Sequence, residues 1–192
     1  LGLTIDFGPY GWLEGFDFGW TPNTTDNQHK RYRYGNQPNM GLWNLYQLAN
    51  ALYPIIEEVA PLEAILKQYT TDFEQQSLVM MKSKLGFTTV NADDLQLIQN
   101  LEDNLQLVET DMTIFFRNLS GFTDAASGLK LIENAFYDFE NISIEVKNNW
   151  NLWFEKYADR LQQETVLSEE RKEKMNAVNP KYVLRNYMSQ MA

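Results

Sequence analysis

The sequence predicts a mainly α-helical fold in which strand is confined to the first residues. Through most of residues 39–192, apolar side chains recur every three or four residues, the spacing that places them on one helix face. Residues 1–5 form a short apolar run that is typical of a buried strand. Glycines, prolines and asparagines interrupt residues 7–37 without a sustained period, which predicts one long loop.

Composition excludes several kinds of function. The 192 residues carry 26 acidic and 16 basic side chains, a formal net charge of −10. Because an acidic surface repels phosphate backbones, we expect no nucleic acid partner. The chain has no cysteine, which excludes disulfides, thiol nucleophiles and cysteine metal sites. No run of about eighteen apolar residues occurs, so we expect no membrane-spanning helix.

The first helices can be placed from their start and stop signals. Residues 36–38 predict a helix start, because proline is favoured in the first turn. A second helix is predicted from Pro61 to Gly86, a residue type that commonly follows a helix. Residues 91–94 resemble a capping box with Asp in place of Glu. We expect one unbroken helix from there through Phe116, because the apolar spacing continues to that residue.

Four further helices are predicted: two along the apolar stripes of residues 129–139 and 146–161, one after Ser168, and one from Asn179 through Met188. Within the second stripe, the aromatic cluster of residues 150–154 is interpreted as core.

Acidic pairs occur near predicted helix ends, at residues 57–58, 93–94 and 169–170. There they complement the helix dipole or keep the surface soluble, and we assign them no chemistry.

We predict one domain with two parts. Residues 1–38 comprise the strand, a turn and the long loop, and residues 39–192 form a helical lobe. A loop of about thirty residues is unusual inside a compact domain and is more often functional than accidental. Because the sequence opens on an apolar run without Met or a helix cap, we expect a fragment of a longer protein.

The tripeptide Asp-Phe-Gly occurs twice, at residues 6–8 and 17–19. In protein-kinase-like folds this tripeptide places a carboxylate on nucleotide-bound magnesium. Asp6 directly follows the strand-like run, so its carboxylate is expected at the end of a rigid element, where it suits a hard cation. The alternative is an aspartate that only hydrogen-bonds its own turn. Asp17 has no strand before it and is interpreted as a loop residue.

The segment HKRYRY, residues 29–34, gathers three cations and two tyrosines in an otherwise acidic chain. It suits contact with a phosphate or an acidic partner, and the alternative is a solvated loop that balances local charge. The single histidine, His29, and the lack of cysteine exclude a catalytic triad or a histidine-based metal site. No glycine-rich phosphate loop or Walker lysine occurs, so a phosphate cradle would lie elsewhere.

The chain resembles the selenoprotein O (YdiU) family in five segments that occur in the family's order and span essentially all 192 residues. These segments are LGLTIDFGPYGWLEGFD, NTTDNQHKRYRYGNQPNMGLWNLYQLA, MKSKLGF, DMTIFFRNLS and NPKYVLRNYMSQMA. The resemblance implies the helical C-terminal lobe of a protein-kinase-like fold, with residues 7–37 in the place of an activation segment. It also implies an enzyme that transfers AMP from ATP to Ser, Thr or Tyr hydroxyls of other proteins, with Mg²⁺ or Mn²⁺ as cofactor.

By the same resemblance, Asp6 is a metal ligand and an ATP-binding residue. The family's general-base aspartate and its nucleotide lobe belong upstream of Leu1, so no catalytic residue is assigned within this chain, and the chain alone is expected to be inactive. The expected partners are ATP and protein substrates, without nucleic acid or membrane, in the cytoplasm of a bacterium.

Two positions depart from the family pattern. Asp17-Phe18 replaces a common Asp-Pro, and Pro22 stands where some members carry a cysteine implicated in redox control, which puts that control in doubt here.

Two other functions remain open. A protein phosphotransferase would use the same metal site, because phosphoryl transfer needs similar parts. A non-catalytic helical interaction module would need neither the metal site nor the other parts required for group transfer.

Overall fold

The computed structural model describes residues 11–22 and 28–191, and this part of the chain is mainly helical. Its α-helices are α1 (Gln37–Ile56), α2 (Ala60–Leu85), α3 (Asp94–Leu107), α4 (Met112–Leu119), α5 (Ala125–Leu131), α6 (Ile144–Leu161), α7 (Ser168–Val178) and α8 (Asn186–Met191). Short 3-10 turns occur at Tyr34–Asn36 and Glu133–Ala135. Extended pairing in these ranges is limited to isolated antiparallel bridges. The strand predicted at residues 1–5 lies outside the described residues.

The chain forms two compact units. The first comprises residues 1–11 and 17–77, and the second comprises residues 12–16 and 78–192, so α2 contributes to both. The boundaries of these units differ from the predicted boundary at residue 38. The predicted boundary divides the chain by the expected role of each part, and it stays a prediction. No α-helix of the described ranges is both long and apolar enough to cross a membrane.

In the first unit, α1 and α2 approach closely at a glycine. Gly41 is buried, and a Cβ atom added there would lie 2.4 Å from the Tyr69 hydroxyl oxygen. That hydroxyl donates a hydrogen bond to the Pro38 carbonyl oxygen at 3.1 Å. The predicted helix start is confirmed, with Pro38 in the first turn of α1. Pro54 is accommodated inside α1, which ends two residues later.

The second unit holds the hydrophobic core, and its centre is the aromatic face of α6. Trp150, Phe154 and Tyr157 have no exposed surface, and Trp153 is 2% exposed. The predicted aromatic core is therefore confirmed. α5 packs on this face through Gly128, where an added Cβ would lie 2.5 Å from the Phe154 ring.

The predicted helix through Phe116 is wrong, because two helices occupy this stretch. α3 ends at Leu107, and Val108 is extended, with φ −144° and ψ 158°. α4 begins only at Met112, and its N-cap is Asp111, whose carboxylate accepts the Ile114 N–H at 2.9 Å. The apolar spacing continues across the break, which is why the sequence conceals it.

Two of the predicted helices, along residues 129–139 and from Asn179 through Met188, are shorter than expected. α5 ends at Leu131, and Phe136 is already extended after the second 3-10 turn. The final helix begins at Asn186 rather than Asn179. Residues 179–185 leave the helical conformation because side chains of two other elements hold Asn179, as described below.

Candidate functional site

Asp6, the predicted metal and ATP ligand, lies outside the described residues. The structure describes the chain again from Gly11, five residues further on. Residues 12–16 belong to the second unit and are the first part of that unit to follow residues 6–8 along the chain. The candidate site consists of residues 12–16, termed here the post-motif segment, and the residues that contact them.

The second Asp-Phe-Gly forms a turn. Asp17 is exposed, and its Oδ1 accepts the Gly19 N–H at 2.7 Å. The Asp17 carbonyl oxygen accepts the Trp20 N–H at 3.2 Å, which closes the turn. This is the local pattern of an aspartate that hydrogen-bonds its own backbone. The interpretation of Asp17 as a loop residue is confirmed.

Asn186, the first residue of α8, binds the post-motif segment at three points. Its side-chain Nδ2 donates to the Trp12 carbonyl oxygen at 2.8 Å, and its Oδ1 accepts the Trp12 N–H at 2.9 Å. The backbone N–H of Asn186 donates to Glu14 Oε1 at 2.6 Å. The Asn186 amide thus satisfies both backbone groups of Trp12, much as a neighbouring strand would.

The end of the post-motif segment pairs with the break between α3 and α4. Gly15 bridges Asp111 in antiparallel fashion, and the Phe16 N–H donates to the Thr110 carbonyl oxygen at 2.9 Å. On the other side, Thr110 bridges Phe136, whose neighbours close two more backbone hydrogen bonds to this stretch. Three short extended stretches therefore lie side by side, and the middle one contains fully buried Thr110.

Asp111 connects this pairing to the residue before Asn186. Its Oδ1 caps α4, and its Oδ2 accepts Arg185 Nη1 at 2.5 Å. The side chain of Asp111 is 6% exposed and that of Arg185 is 19% exposed. The hydrogen bond to Asp111 raises the pKa of Arg185 further above its ordinary value, so this guanidinium stays charged.

The pKa of Tyr137 reflects the charged side chains around it. Burial raises its pKa, and the carboxylates of Asp111, Glu14 and Glu109 raise it further, against the opposing charge of Arg185. The region therefore combines three carboxylates with one guanidinium and is acidic on balance. Its tyrosine stays neutral at physiological pH.

A second group of polar contacts holds the chain between α7 and α8. Asn179 Nδ2 donates to the Lys84 carbonyl oxygen at 2.9 Å, and Lys84 Nζ donates to Asn179 Oδ1 at 3.2 Å. Arg117 Nη1 donates to the carbonyl oxygens of Asn176 and Asn179 at 3.1 and 3.0 Å. Burial lowers the pKa of Lys84. Residues 179–185 are thus held where α7 ends, which explains why α8 begins late.

The basic segment of residues 29–34 lies in the first unit, where Arg31 packs into the fold. Its guanidinium carbon is 4.1 Å from the centre of the Trp43 ring, an arrangement that suits a cation–π contact. The Arg31 carbonyl oxygen accepts Asn36 Nδ2 at 2.6 Å. His29 and Lys30 are exposed. Contact of this segment with a phosphate stays a prediction.

The rest of the described ranges gives weaker indications of a ligand site. No group of three or more acidic or histidine side chains there is arranged to hold a metal ion. A cavity of about 360 Å³ lies between α3 and α6 and is lined mainly by amide and charged side chains, among them Asn91, Asp93, Lys156 and Asp159. These side chains carry both signs of charge, so they select no particular ligand.

Sequence reasoning missed four residues of the candidate site: Glu14, Asp111, Arg185 and Asn186. Each lies in a segment quoted above for the family resemblance, namely GWLEGFD, DMTIFF or VLRNYM. The sequence holds no local signal that joins them, because the contacts span up to 174 residues. The only feature that these four residues share in the sequence is that each lies in one of those segments.

Comparison with known proteins gives consistent results over the whole chain. Residues 1–192 match the family described as Protein adenylyltransferase SelO. Similar proteins, each named Protein nucleotidyltransferase YdiU, come from Flavobacterium johnsoniae (56% identical), Aromatoleum aromaticum (46%) and an Azoarcus species (43%). Each comparison covers 100% of this chain but only 36–37% of the relative. The chain therefore spans just over a third of the length of these relatives.

Proposed function

Because this chain belongs to the Protein adenylyltransferase SelO family, we propose that it is part of a protein nucleotidyltransferase that transfers AMP from ATP to Ser, Thr or Tyr hydroxyls of proteins. The observation that carries this proposal is the family match over residues 1–192. We further propose that the chain is the helical C-terminal lobe of a protein-kinase-like fold. Its mainly helical structure supports that assignment.

Asp6 is the proposed ligand for Mg²⁺ or Mn²⁺ beside the ATP phosphates. A carboxylate oxygen is the donor that these hard cations prefer, and Mg²⁺ usually takes one or two carboxylates together with waters and substrate phosphates. The remaining ligands would come from outside the described residues. A cation held there would neutralise charge on the phosphate oxygens.

We also propose a cytoplasmic location in a bacterium. The relatives named above are bacterial, and a chain without cysteine suits a reducing compartment.

The test compares the two Asp-Phe-Gly aspartates in the full-length protein. ATP labelled at the α-phosphate reports AMP transfer to protein. Asp6→Ala should abolish incorporation, because loss of a metal ligand removes several kcal/mol of transition-state stabilisation, and about 1.4 kcal/mol corresponds to a tenfold rate. Asp17→Ala is the matched control and should change the rate little, since Asp17 only closes an exposed turn. An inactive Asp17→Ala beside an active Asp6→Ala would show that the wrong aspartate was chosen.

The position of the label separates the alternative functions. Label from the α-phosphate marks the acceptor if AMP moves, whereas label from the γ-phosphate marks it if phosphate moves. Incorporation of γ-label alone would replace the proposal with a phosphotransferase. If neither label reaches protein in the presence of Mg²⁺ or Mn²⁺, the chain acts as an interaction module. Thermal melts of both variants show whether each is folded.

A further inference from the structure

The helix α1 carries no charged side chain along its 20 residues, although 22% of the whole chain is charged. Surface helices usually carry charged residues on the face that meets water. Charged residues are depleted, by contrast, where a surface is buried at the centre of an interface. The composition of α1 is therefore typical of a helix that is covered on more than one side.

The present chain covers α1 only in part. Among the described residues of the first unit, Gly41 is the only buried one, whereas the second unit holds the hydrophobic core. Leu48, Leu52 and Ile55 are 53%, 37% and 80% exposed. Their spacing of four and then three residues places them on one face of α1. We call these three residues the α1 stripe.

An exposed stripe of this kind adds nothing to the stability of α1. Helices in proteins gain most of their stability from tertiary packing of an apolar face. The close approach of α1 and α2 occurs at Gly41 and Tyr69. The α1 stripe lies about two to four turns further along the helix, where it is open to solvent. The helix therefore has an apolar face that still requires a packing partner.

The length of the relatives indicates what this partner is. The chain matches the relatives named above along its whole length, yet it covers only 36–37% of each of them. Nearly two thirds of each relative therefore lies outside the matched residues. We propose that the α1 stripe packs against this remaining part of the same polypeptide, on a surface that is itself apolar and poor in charge. The interface goes beyond the proposed function, because it does not depend on which group is transferred.

The composition of α1 favours a permanent partner. Interfaces with transient partners are about as polar as the rest of a protein surface, whereas permanent interfaces are more apolar. A segment of the same polypeptide is a permanent partner, since it is present at high effective concentration however dilute the protein is. A second copy of the chain would also give an apolar interface, and the experiment separates these two partners.

Hydroxyl-radical footprinting of the full-length protein tests whether the α1 stripe is covered. The reference is Ile144, the first residue of α6, which is 77% exposed and precedes the charged Glu145. Ile55 and Ile144 are thus almost equally exposed in this chain. In the full-length protein, Ile55 should be modified several-fold more slowly than Ile144. Equal modification of the two isoleucines would overturn the proposal.

Two further measurements identify the partner. Sedimentation of the full-length protein over a range of concentrations gives its oligomeric state. Protection of Ile55 in the monomer supports the proposal, whereas protection confined to a dimer assigns the α1 stripe to a second copy and overturns it. In the 192-residue chain alone, Ile55 should be modified as fast as Ile144. Protection already present there would mean that a segment of this chain covers the α1 stripe, and it would overturn the proposal.

A pair of substitutions tests the contribution of the α1 stripe to stability. Ile55→Lys places a cation in the last turn of α1 and Ile144→Glu places an anion in the first turn of α6, so the helix dipole favours both. In the full-length protein, Ile55→Lys should lower the melting temperature by several degrees, because it buries an unpaired charge. Ile144→Glu should leave it nearly unchanged. Equal shifts, or no shift in either variant, would overturn the proposal. The footprinting uses the wild type, so it gives a result even if Ile55→Lys does not fold.

The outcomes are separate from those that test the proposed function. If Ile55 is protected in the monomeric full-length protein but no AMP reaches protein, the interface stands and the proposed reaction is wrong. If AMP is transferred while Ile55 is modified freely, the proposed function stands and the interface is wrong.

Discussion

Arg160 in α6 donates its Nε to Asp94 Oδ1 at 2.5 Å, and both side chains are at most 5% exposed. This pair joins the beginning of α3 to the end of α6. Half of the predicted capping box is present at the same residue, since Asp94 Oδ2 accepts the Asn91 N–H at 2.9 Å. Asp94 is therefore a buried structural residue rather than a solubilising surface charge.

Loss of one partner of this pair should strongly destabilise the fold. Arg160→Met leaves Asp94 buried with only the more distant Lys82 ammonium, at 3.8 Å, to compensate its charge. Breaking a buried pair in this way costs about 3–5 kcal/mol. Urea unfolding at neutral pH measures the change in free energy. Lys174→Ala, which removes an exposed pair with Glu170, is the control and should cost less than about 1 kcal/mol. Similar values for both variants would contradict the prediction.

Acid should weaken the contribution of Glu164 to stability. Burial opposes its charge, but hydrogen bonds from Thr88, Thr89 and Arg160 outweigh burial and lower the pKa of Glu164 to about 2. Because the folded pKa lies below the ordinary value of 4.5, stability from this group is complete above about pH 4.5 and is lost as pH falls towards 2.

The measurement for Glu164 is urea unfolding of the wild type and Glu164→Gln between pH 7 and pH 2.5. The wild type should be the more stable protein at pH 7, and the difference should shrink below about pH 4.5. A difference that stays constant over this range would show that the carboxylate does not gain its charge-dependent contacts on folding.

Gly128→Ala should destabilise the second unit although alanine favours helices. The new Cβ would lie 2.5–2.7 Å from three atoms of the buried Phe154 ring. Overpacking of this kind costs about 1–3 kcal/mol, which exceeds the gain of about 1 kcal/mol from helix propensity in most of that range. Gly121→Ala is the control, because its Cβ would meet its nearest atom at 3.4 Å. Thermal melts should show a clear loss only for Gly128→Ala, and a stabilised variant would mean that α5 shifts freely on α6.

The 192-residue chain alone should bind Mg-ATP very weakly. One carboxylate, Asp6, does not hold hydrated Mg²⁺ tightly without other protein ligands and a phosphate cradle. Calorimetry of the isolated chain tests this expectation. A micromolar affinity for these 192 residues would place the nucleotide site within them and would require a different set of ligands.

The sequence predicts well those features that depend on neighbouring residues. Pro38 and Gly86 mark a helix start and a helix end correctly, and Gly86 has the positive φ of 78° that this end requires. The spacing of apolar residues along α6 likewise identifies its buried face, because a helix of 3.6 residues per turn repeats that face by itself.

The features that the sequence does not predict depend on contacts between residues far apart in the chain. Between α3 and α4 the apolar spacing continues from Leu105 through Val108 to Met112, yet the helix breaks because Thr110 and Asp111 pair with residues far away in sequence. Nothing near Asn186 indicates that its amide binds Trp12. Asp6 is the one ligand residue that the sequence predicts, from a local motif, and that prediction is still open to experiment.

The separation of Trp12 and Asn186 has a consequence for biosynthesis. The two residues are 174 positions apart, and at about 5–20 residues per second the ribosome needs roughly 9–35 s to make the intervening chain. Local helices form within about a microsecond, so those that precede Asn186 have time to form before that residue leaves the ribosome. Until Asn186 is made, Trp12 and Glu14 lie in a nascent chain that lacks this hydrogen-bond partner. The post-motif segment thus gains its contacts with Asn186 only after residue 186 has been made, so a nascent chain that stops short of that residue lacks them.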